Sequence, residues 1–336
     1  MMRSTTTKRI DPMETRVSNA LKSSSTQGLW ISKTMASVIA IGFMVLGARA
    51  ARFGERPVGP AAAPPPDWKQ VEQALGKTGA MQPGDVFKIG IPRSDLSVTV
   101  GDVKIRPGLA LGGWVAFKNH GNEAMVMGDL VLTEDEVGPV MMKLQQEGIE
   151  QTAVHNHLLN ESPHVVYMHI AGHGDPVKLA GSIRAALALS RTPFNPPSAP
   201  GTAPSLDLDT SQIDKIMGYS GKNNGGIYQF GIPRGEKITD HGMEVPASMG
   251  TATAINFQPT GGGKAAITGD FVLVASEVNP VIRALRDNGI LVTALHSHML
   301  DEEPRLFFMH FWANDDAAKL ARGLRGALNK MNVAKP

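Results

Sequence analysis

The stretch HNHLLNESPHVVYMH, His155 to His169, carries four of the chain's ten histidines. Neutral imidazole is the commonest nitrogen ligand for zinc, copper, nickel and iron. Three histidines, or two or three with a glutamate, can leave a coordination position open for water or substrate. The chain contains no cysteine. Disulfides, thiolate zinc sites and a cysteine nucleophile are therefore excluded, and metal chemistry falls to histidine and carboxylate.

The same spacing occurs twice. His155, His157, Glu161, Pro163 and His169 recur as His296, His298, Glu302, Pro304 and His310. GIPR at Gly90 returns at Gly231, and GDLVL at Gly128 returns as GDFVL at Gly269. So long a period means two tandem domains rather than a solenoid, whose units run to about 20 to 50 residues. The expected cofactor is a divalent metal, zinc or another first-row transition metal. Its candidate ligands are His155, His157 and His169 in the first copy and His296, His298 and His310 in the second. Glu161 and Glu302 are the candidate general bases toward metal-bound water. His164 and His173 become Arg305 and Asn314, which makes them peripheral, and His120 and His241 fall in turn-like segments. Purely structural, hydrogen-bonding histidines are the alternative reading.

These side chains need strands to aim them. DVFKIGIP, LSVTVGDVKI, GGWVAFKN and AMVMGDLVL alternate and are broken by Gly, Pro and Asn, as strands are. TEDEVGPVMMKLQQEGI has a Thr133 cap, an acidic first turn and a terminal Gly148, so a helix follows. QTAVHNH and HVVYMHIAG are two further strands, and DPVKLAGSIRAALAL opens a helix with Asp175 as cap and Pro176 at its first position. Each copy thus ends in the order β-α-β-β-α, which implies an α+β fold with helices on a mainly antiparallel sheet. A hairpin placing His155 opposite Tyr167 would gather His155, His157 and His169 on one face, with Glu161 in the loop. Gly128-Asp129 and Gly269-Asp270 read as bulges or turns whose carboxylates could orient a histidine. Arg93 and Arg234 read as strand-end residues in surface ion pairs. GGGK at Gly261 lacks phosphate-loop spacing and reads as a hairpin turn.

The 336 residues divide by composition. Lys33, the apolar run Met35 to Ala48 and the small-x-small Ala48-Arg49-Ala50 make residues 1–50 a signal peptide or N-terminal membrane anchor. A Pro/Ala-rich spacer follows at 51–66, the first repeat at 67–191, a Pro-rich linker at 192–206 and the second repeat at 207–332. Residues 1–50 hold seven Lys/Arg and two Asp/Glu, so the net charge of +2 conceals a remainder of −3. A slightly acidic body without basic runs excludes a nucleic-acid partner. Export to the periplasm or the extracellular space is expected, with membrane attachment through the N-terminal segment only. The expected partner is a metal or small-molecule ligand.

HNHLLNESPHVVYMH with GDLVL, and GTATAINF, GDFVL and ALHSHMLDEEPRLFFMHFW, make Trp68 to Leu187 and Ile213 to Leu328 resemble the LppY/LpqO family, a bacterial exported domain of unknown function. The resemblance implies export and carries no activity or ligand; without cysteine, this chain has no site for a lipid anchor. Two functional readings follow. One is an exported metal- or small-ligand-binding protein, with a site in each lobe or one shared in the cleft between them. The other is a metal-dependent hydrolase or an oxygenase, since H-x-H-x3-E with a later histidine is similar to the cupin ligand set.

Overall fold

Period-two alternation gives every strand two faces, and a strand in a central position must bury both. In the computed structural model, which describes residues 66–121, 123–194 and 205–335, each copy solves this differently on its two sides. Asp67 caps α1 (Trp68–Leu75) by accepting the Lys69 N–H. Then come β1 (Ala80–Gln82), β2 (Val86–Pro92), the pair β3 (Thr99–Val100) and β4 (Val103–Lys104), a single turn α2 (Pro107–Ala110), β5 (Gly112–His120) and β6 (Glu123–Thr133). The copy closes with α3 (Glu134–Gln146), β7 (Glu150–His155), β8 (Glu161–Ser162), β9 (Val165–Gly174) and α4 (Pro176–Leu187). The second copy repeats the order as α5 (Thr210–Met217), β10 (Lys222–Asn224), β11 (Ile227–Pro233), β12 (Thr239–Asp240), β13 (Met243–Glu244) and a 3₁₀ turn at Ala247–Met249. It ends with β14 (Ala252–Gly261), β15 (Lys264–Leu273), α6 (Ala275–Asp287), β16 (Leu291–His296), β17 (Glu302–Glu303), β18 (Phe307–Asp316) and α7 (Ala317–Leu328).

Each copy is an α+β domain built on an antiparallel six-stranded sheet, ordered β1-β2-β5-β6-β9-β7 in the first and β10-β11-β14-β15-β18-β16 in the second. On one face Val126, Leu130 and Leu132 of β6 and Met168 and Ile170 of β9 pack under Val71, Leu144 and Ile183 of the helices. The opposite face carries no long helix of its own, only the single turn α2 against Val131 and Tyr167. There Met125 and Met127 meet Val272 and Phe308 of the second copy, while Val131 and Tyr167 meet Ala266 and Trp312. Two apolar patches thus seal the copies together at either end of the central strands. Fully burying one such side chain is worth about 1.5–3 kcal/mol.

Three local expectations change. LSVTVGDVKI is a short hairpin that turns at Gly101, whose φ of +55° suits glycine. Gly128 and Gly269 sit inside unbroken ladders rather than at bulges or turns. A Cβ on Gly128 would stand 2.9 Å from the Trp114 carbonyl oxygen, and one on Gly269 only 1.9 Å from that of Ala254. Close strand approach, not chain reversal, demands glycine at both. Arg93 and Arg234 are buried rather than at the surface. Arg93 donates to the Val131 carbonyl and grips Glu136 and Asp95, and Arg234 repeats this with Val272, Glu277 and Glu236. Each arginine ties the end of β2 or β11 to the first turn of the helix that follows β6 or β15.

Burial alone would raise the Glu136 carboxyl, but hydrogen bonds from Arg93 and from the Thr133 and Arg191 backbone N–H groups together outweigh it and hold its pKa below the ordinary value. A depressed folded-state pKa adds stability above the unfolded glutamate value, about 4.3, and that stability is lost as pH falls through the folded pKa. Glu136→Gln should therefore lower the thermal midpoint at pH 7, and the gap from wild type should shrink toward pH 3. Arg93→Met, which strands the buried Glu136 carboxylate, should cost about 3–5 kcal/mol in denaturant unfolding at pH 7.

Candidate metal centre

The register of the central strands decides what lies midway between the apolar patches. Asp129 pairs with His169 across β6 and β9, and Asp270 with His310 across β15 and β18. All four side chains fall on the face turned to the other copy. His155 pairs with Tyr167 at the end of β7, as His296 does with Phe308 at the end of β16, and His157 and His298 lie just beyond the strands. The expected hairpin register therefore holds at His155, although His157 lies outside the ladder. His157 stacks on Tyr167 with centroids 3.3 Å apart, and His298 on Phe308 at 3.5 Å.

Reciprocal hydrogen bonds fix the two H-x-H segments. Thr152 Oγ1 donates to the His298 carbonyl and Thr293 Oγ1 to the His157 carbonyl, both at 2.6 Å. Each lobe thereby holds the other's histidine loop. The six rings then mesh across the lobes. His157 and His310 are 3.8 Å apart by centroids, as are His298 and His169; His155 and His310 are 5.3 Å apart, and His296 and His169 5.4 Å. His155 and His296 meet at 3.6 Å between the two groups.

Each group takes an H-x-H pair from one lobe and a strand histidine from the other. The structure therefore gathers all six histidines, but not as one triad per lobe. Ligand atoms close enough to share an ion occur in His155, His157 and His310, in His155, His169 and His296, and in Asp270, His296 and His310. His155 Nε2 and His310 Nε2 are 3.2 Å apart, near the separation of about 3.3 Å that two nitrogens on one tetrahedral zinc would have at Zn–N distances of about 2.0–2.1 Å.

The backbone selects which nitrogen faces inward. His310 Nδ1 lies 2.7 Å from the Gly269 carbonyl oxygen, and His169 is hydrogen-bonded to the Gly128 backbone. A carbonyl accepting from Nδ1–H leaves Nε2 as the free lone pair, the usual way a ligand histidine is oriented. His157 Nε2 lies 3.6 Å from Asp129 Oδ2 and His298 Nε2 3.0 Å from Asp270 Oδ2, so the repeated aspartates sit beside the histidines. His155 Nδ1, His157 Nε2, His169 Nε2 and His296 Nε2 are buried and find no hydrogen-bond partner.

Electrostatics keeps His155, His157, His169, His296 and His298 neutral. Burial, and then repulsion from neighbouring imidazoles, pushes His155, His157 and His169 far below the ordinary histidine value. Burial takes His296 down to about 3 against the raising effect of Asp270. Burial likewise raises the carboxyls of Asp129, helped by Asp270, and of Asp270.

Glu161 and Glu302 lie outside these groups. They belong to separate three-stranded sheets, β4-β3-β8 and β13-β12-β17. Glu161 accepts the Val165 N–H at 3.4 Å, and Glu302 the Leu306 N–H at 2.8 Å. Their geometry closes a loop. Of the remaining histidines, His164 faces Glu134 and His241 faces Asp301, both exposed. Sequence reasoning missed Lys88, Trp114 and the two threonines. Of these, Thr152 and Thr293 did leave a signal, since QTAVH and VTALH keep Thr three positions before the first histidine.

A cleft of about 1220 Å³ reaches the centre between the lobes, touching His157, His298, His310, Asp129 and Asp270. The molecule is thus of a class with two fused copies of one α+β domain and a histidine centre built from both. It belongs to the family described as Domain of Unknown Function (DUF1259), which matches residues 69–189 and again 211–330. No curated protein matches the chain. Among solved structures, it is similar to the trimeric bacterial microcompartment shell protein PduB (14% identity, 76% of this chain and 90% of that one, TM-score 0.18). It is also similar to EtuB from Clostridium kluyveri (9% identity, the same coverage, TM-score 0.18). Superpositions this poor carry no argument about assembly or activity.

The threonine latches predict that Thr152→Val/Thr293→Val, which leaves two carbonyls without donors, destabilises the protein by about 1–3 kcal/mol per site in denaturant unfolding. An unchanged midpoint would show that the latches hold nothing.

Proposed function

We propose that this is an exported protein that binds a divalent first-row transition metal ion between its two lobes, through an H-x-H pair of one lobe and a strand histidine of the other. The observation that carries this reading is the convergence of buried, neutral, partnerless imidazole nitrogens from both copies. An imidazole nitrogen buried without a donor or a metal costs free energy comparable to a lost hydrogen bond, about 1–3 kcal/mol. The cluster holds six such nitrogens, two of them on His298, so structural packing alone is a poor account of it. Export is supported by the leader pattern of residues 1–50 and by the LppY/LpqO resemblance; that leader lies outside the described residues. Among the described residues no helix is long and apolar enough to cross a membrane.

A second reading, a metal-dependent hydrolase or oxygenase at the same centre, is favoured by the cleft, because an ion held only structurally needs no such room beside it. In that reading Asp129 or Asp270, not Glu161 or Glu302, is the carboxylate placed to handle a proton.

Elemental analysis of the purified mature protein beside His155→Ala/His157→Ala is the test. The wild type should carry a stoichiometric first-row metal and the variant a small fraction of it. Near-zero metal in both, after incubation with zinc and removal of excess, would sink the proposal.

A further inference from the structure

The cleft over the histidine centre is symmetric at its floor and asymmetric at its walls. Its floor pairs Asp129 with Asp270 and His157 with His298. Its walls are largely small residues, among them Gly90, Gly112, Gly113, Ala252 and Ala254. The counterpart of Trp114 in the second copy is Ala254, since both pair with the central Asp of the next strand, Asp129 and Asp270. The counterpart of Lys88 is Gln229, two positions before the glycine of GIPR in each copy. One wall therefore carries a cation and a large ring where the other carries an amide and a methyl.

Lys88 is held, not waving in solvent. Its ammonium lies 4.0 Å over the Trp114 ring and donates to the Ser248 carbonyl at 3.1 Å. That carbonyl takes one of three N–H donors, and no other acceptor among the described residues takes a second. The charge is close enough to the floor to act on Asp129 and His298. Arg106 and Lys222 line the same cleft, whereas Asp129 and Asp270 are the carboxylates that line it among the described residues. With a divalent ion at the floor, the positive charges outnumber the negative ones.

We propose that the cleft takes a small oxyanion, a carboxylate or a phosphate, with one end at the metal centre and an oxygen on the Lys88 ammonium, its body lying toward Ala254. This rests on the metal reading above for the floor contact, but the Lys88 contact belongs to the protein alone. A point-charge ammonium preset against an aromatic face suits an anionic oxygen, and a hydrogen bond to a charged group is among the stronger ones. The small opposite wall leaves room for the rest of the ligand.

The experiment is calorimetric titration of the full-length protein with inorganic phosphate and, separately, with malonate, for wild type and Lys88→Gln, each zinc-loaded and zinc-stripped. Lys88→Gln installs the residue that the second copy carries at the equivalent place. Its thermal midpoint and zinc content should match wild type, so that an effect on binding is not one of folding. The expected result is that at least one anion binds zinc-loaded wild type and that Lys88→Gln weakens it about ten- to a hundredfold. Whichever anion binds more tightly identifies the ligand class. Equal binding by the variant, or binding of neither anion to zinc-loaded wild type, overturns the proposal. If the protein takes up no zinc yet binds an anion through Lys88, the metal reading falls while the anion site stands.

Discussion

Six imidazoles can be buried against one another only while they remain uncharged, and their free nitrogens must still find something to bind. This constraint organises the middle of the molecule. Were two of these rings protonated, like charges would meet in a dry interface with centroids 3.6–3.8 Å apart. Neutral rings avoid that cost but replace it with unsatisfied nitrogens. Backbone carbonyls take one nitrogen of His310 and His169, and a shared cation is the partner that suits the rest. The fold supplies both conditions by leaving the second face of each sheet without a long helix, so that the other copy covers most of it.

The architecture then follows from alternation. On β6 the residues at 126, 130 and 132 go to the helices and those at 125, 127 and 131 to the other lobe, with Asp129 between them. β9 aims Met168 and Ile170 one way and Tyr167 and His169 the other. A duplicated chain repeats these assignments, and packing two such faces together doubles the histidine content of the interface. Neither copy could bury its polar centre alone.

Much of this was legible in the chain itself. The repeat at a fixed separation, the order β-α-β-β-α and the pairing of His155 with Tyr167 all follow from local pattern. So did the choice of the six histidines that the structure brings together, since both copies keep them while His164 and His173 vary. What local pattern could not show was the partner. Which third histidine completes an H-x-H pair depends on how one sheet faces the other, and the answer for His155 and His157 is His310, while His169 joins His155 and His296. The H-x-H-x3-E spacing also suggested a carboxylate near the metal, but β8 and β17 carry Glu161 and Glu302 into separate sheets. The buried state of Arg93 was hidden for the same reason. Its partner Glu136 is 43 residues away, and only the fold brings it near.

The central claim is that the proposed metal centre draws ligands from both lobes, with His310 completing the His155–His157 pair, and His310→Ala tests it most directly because it leaves every histidine of the first lobe in place. Zinc titration of this variant, followed by the rise in thermal midpoint that binding confers, should show the stabilisation sharply reduced relative to wild type. Full wild-type affinity and stabilisation in His310→Ala would mean that His310 holds no part of the ion, and would contradict a centre in which it completes the His155–His157 pair.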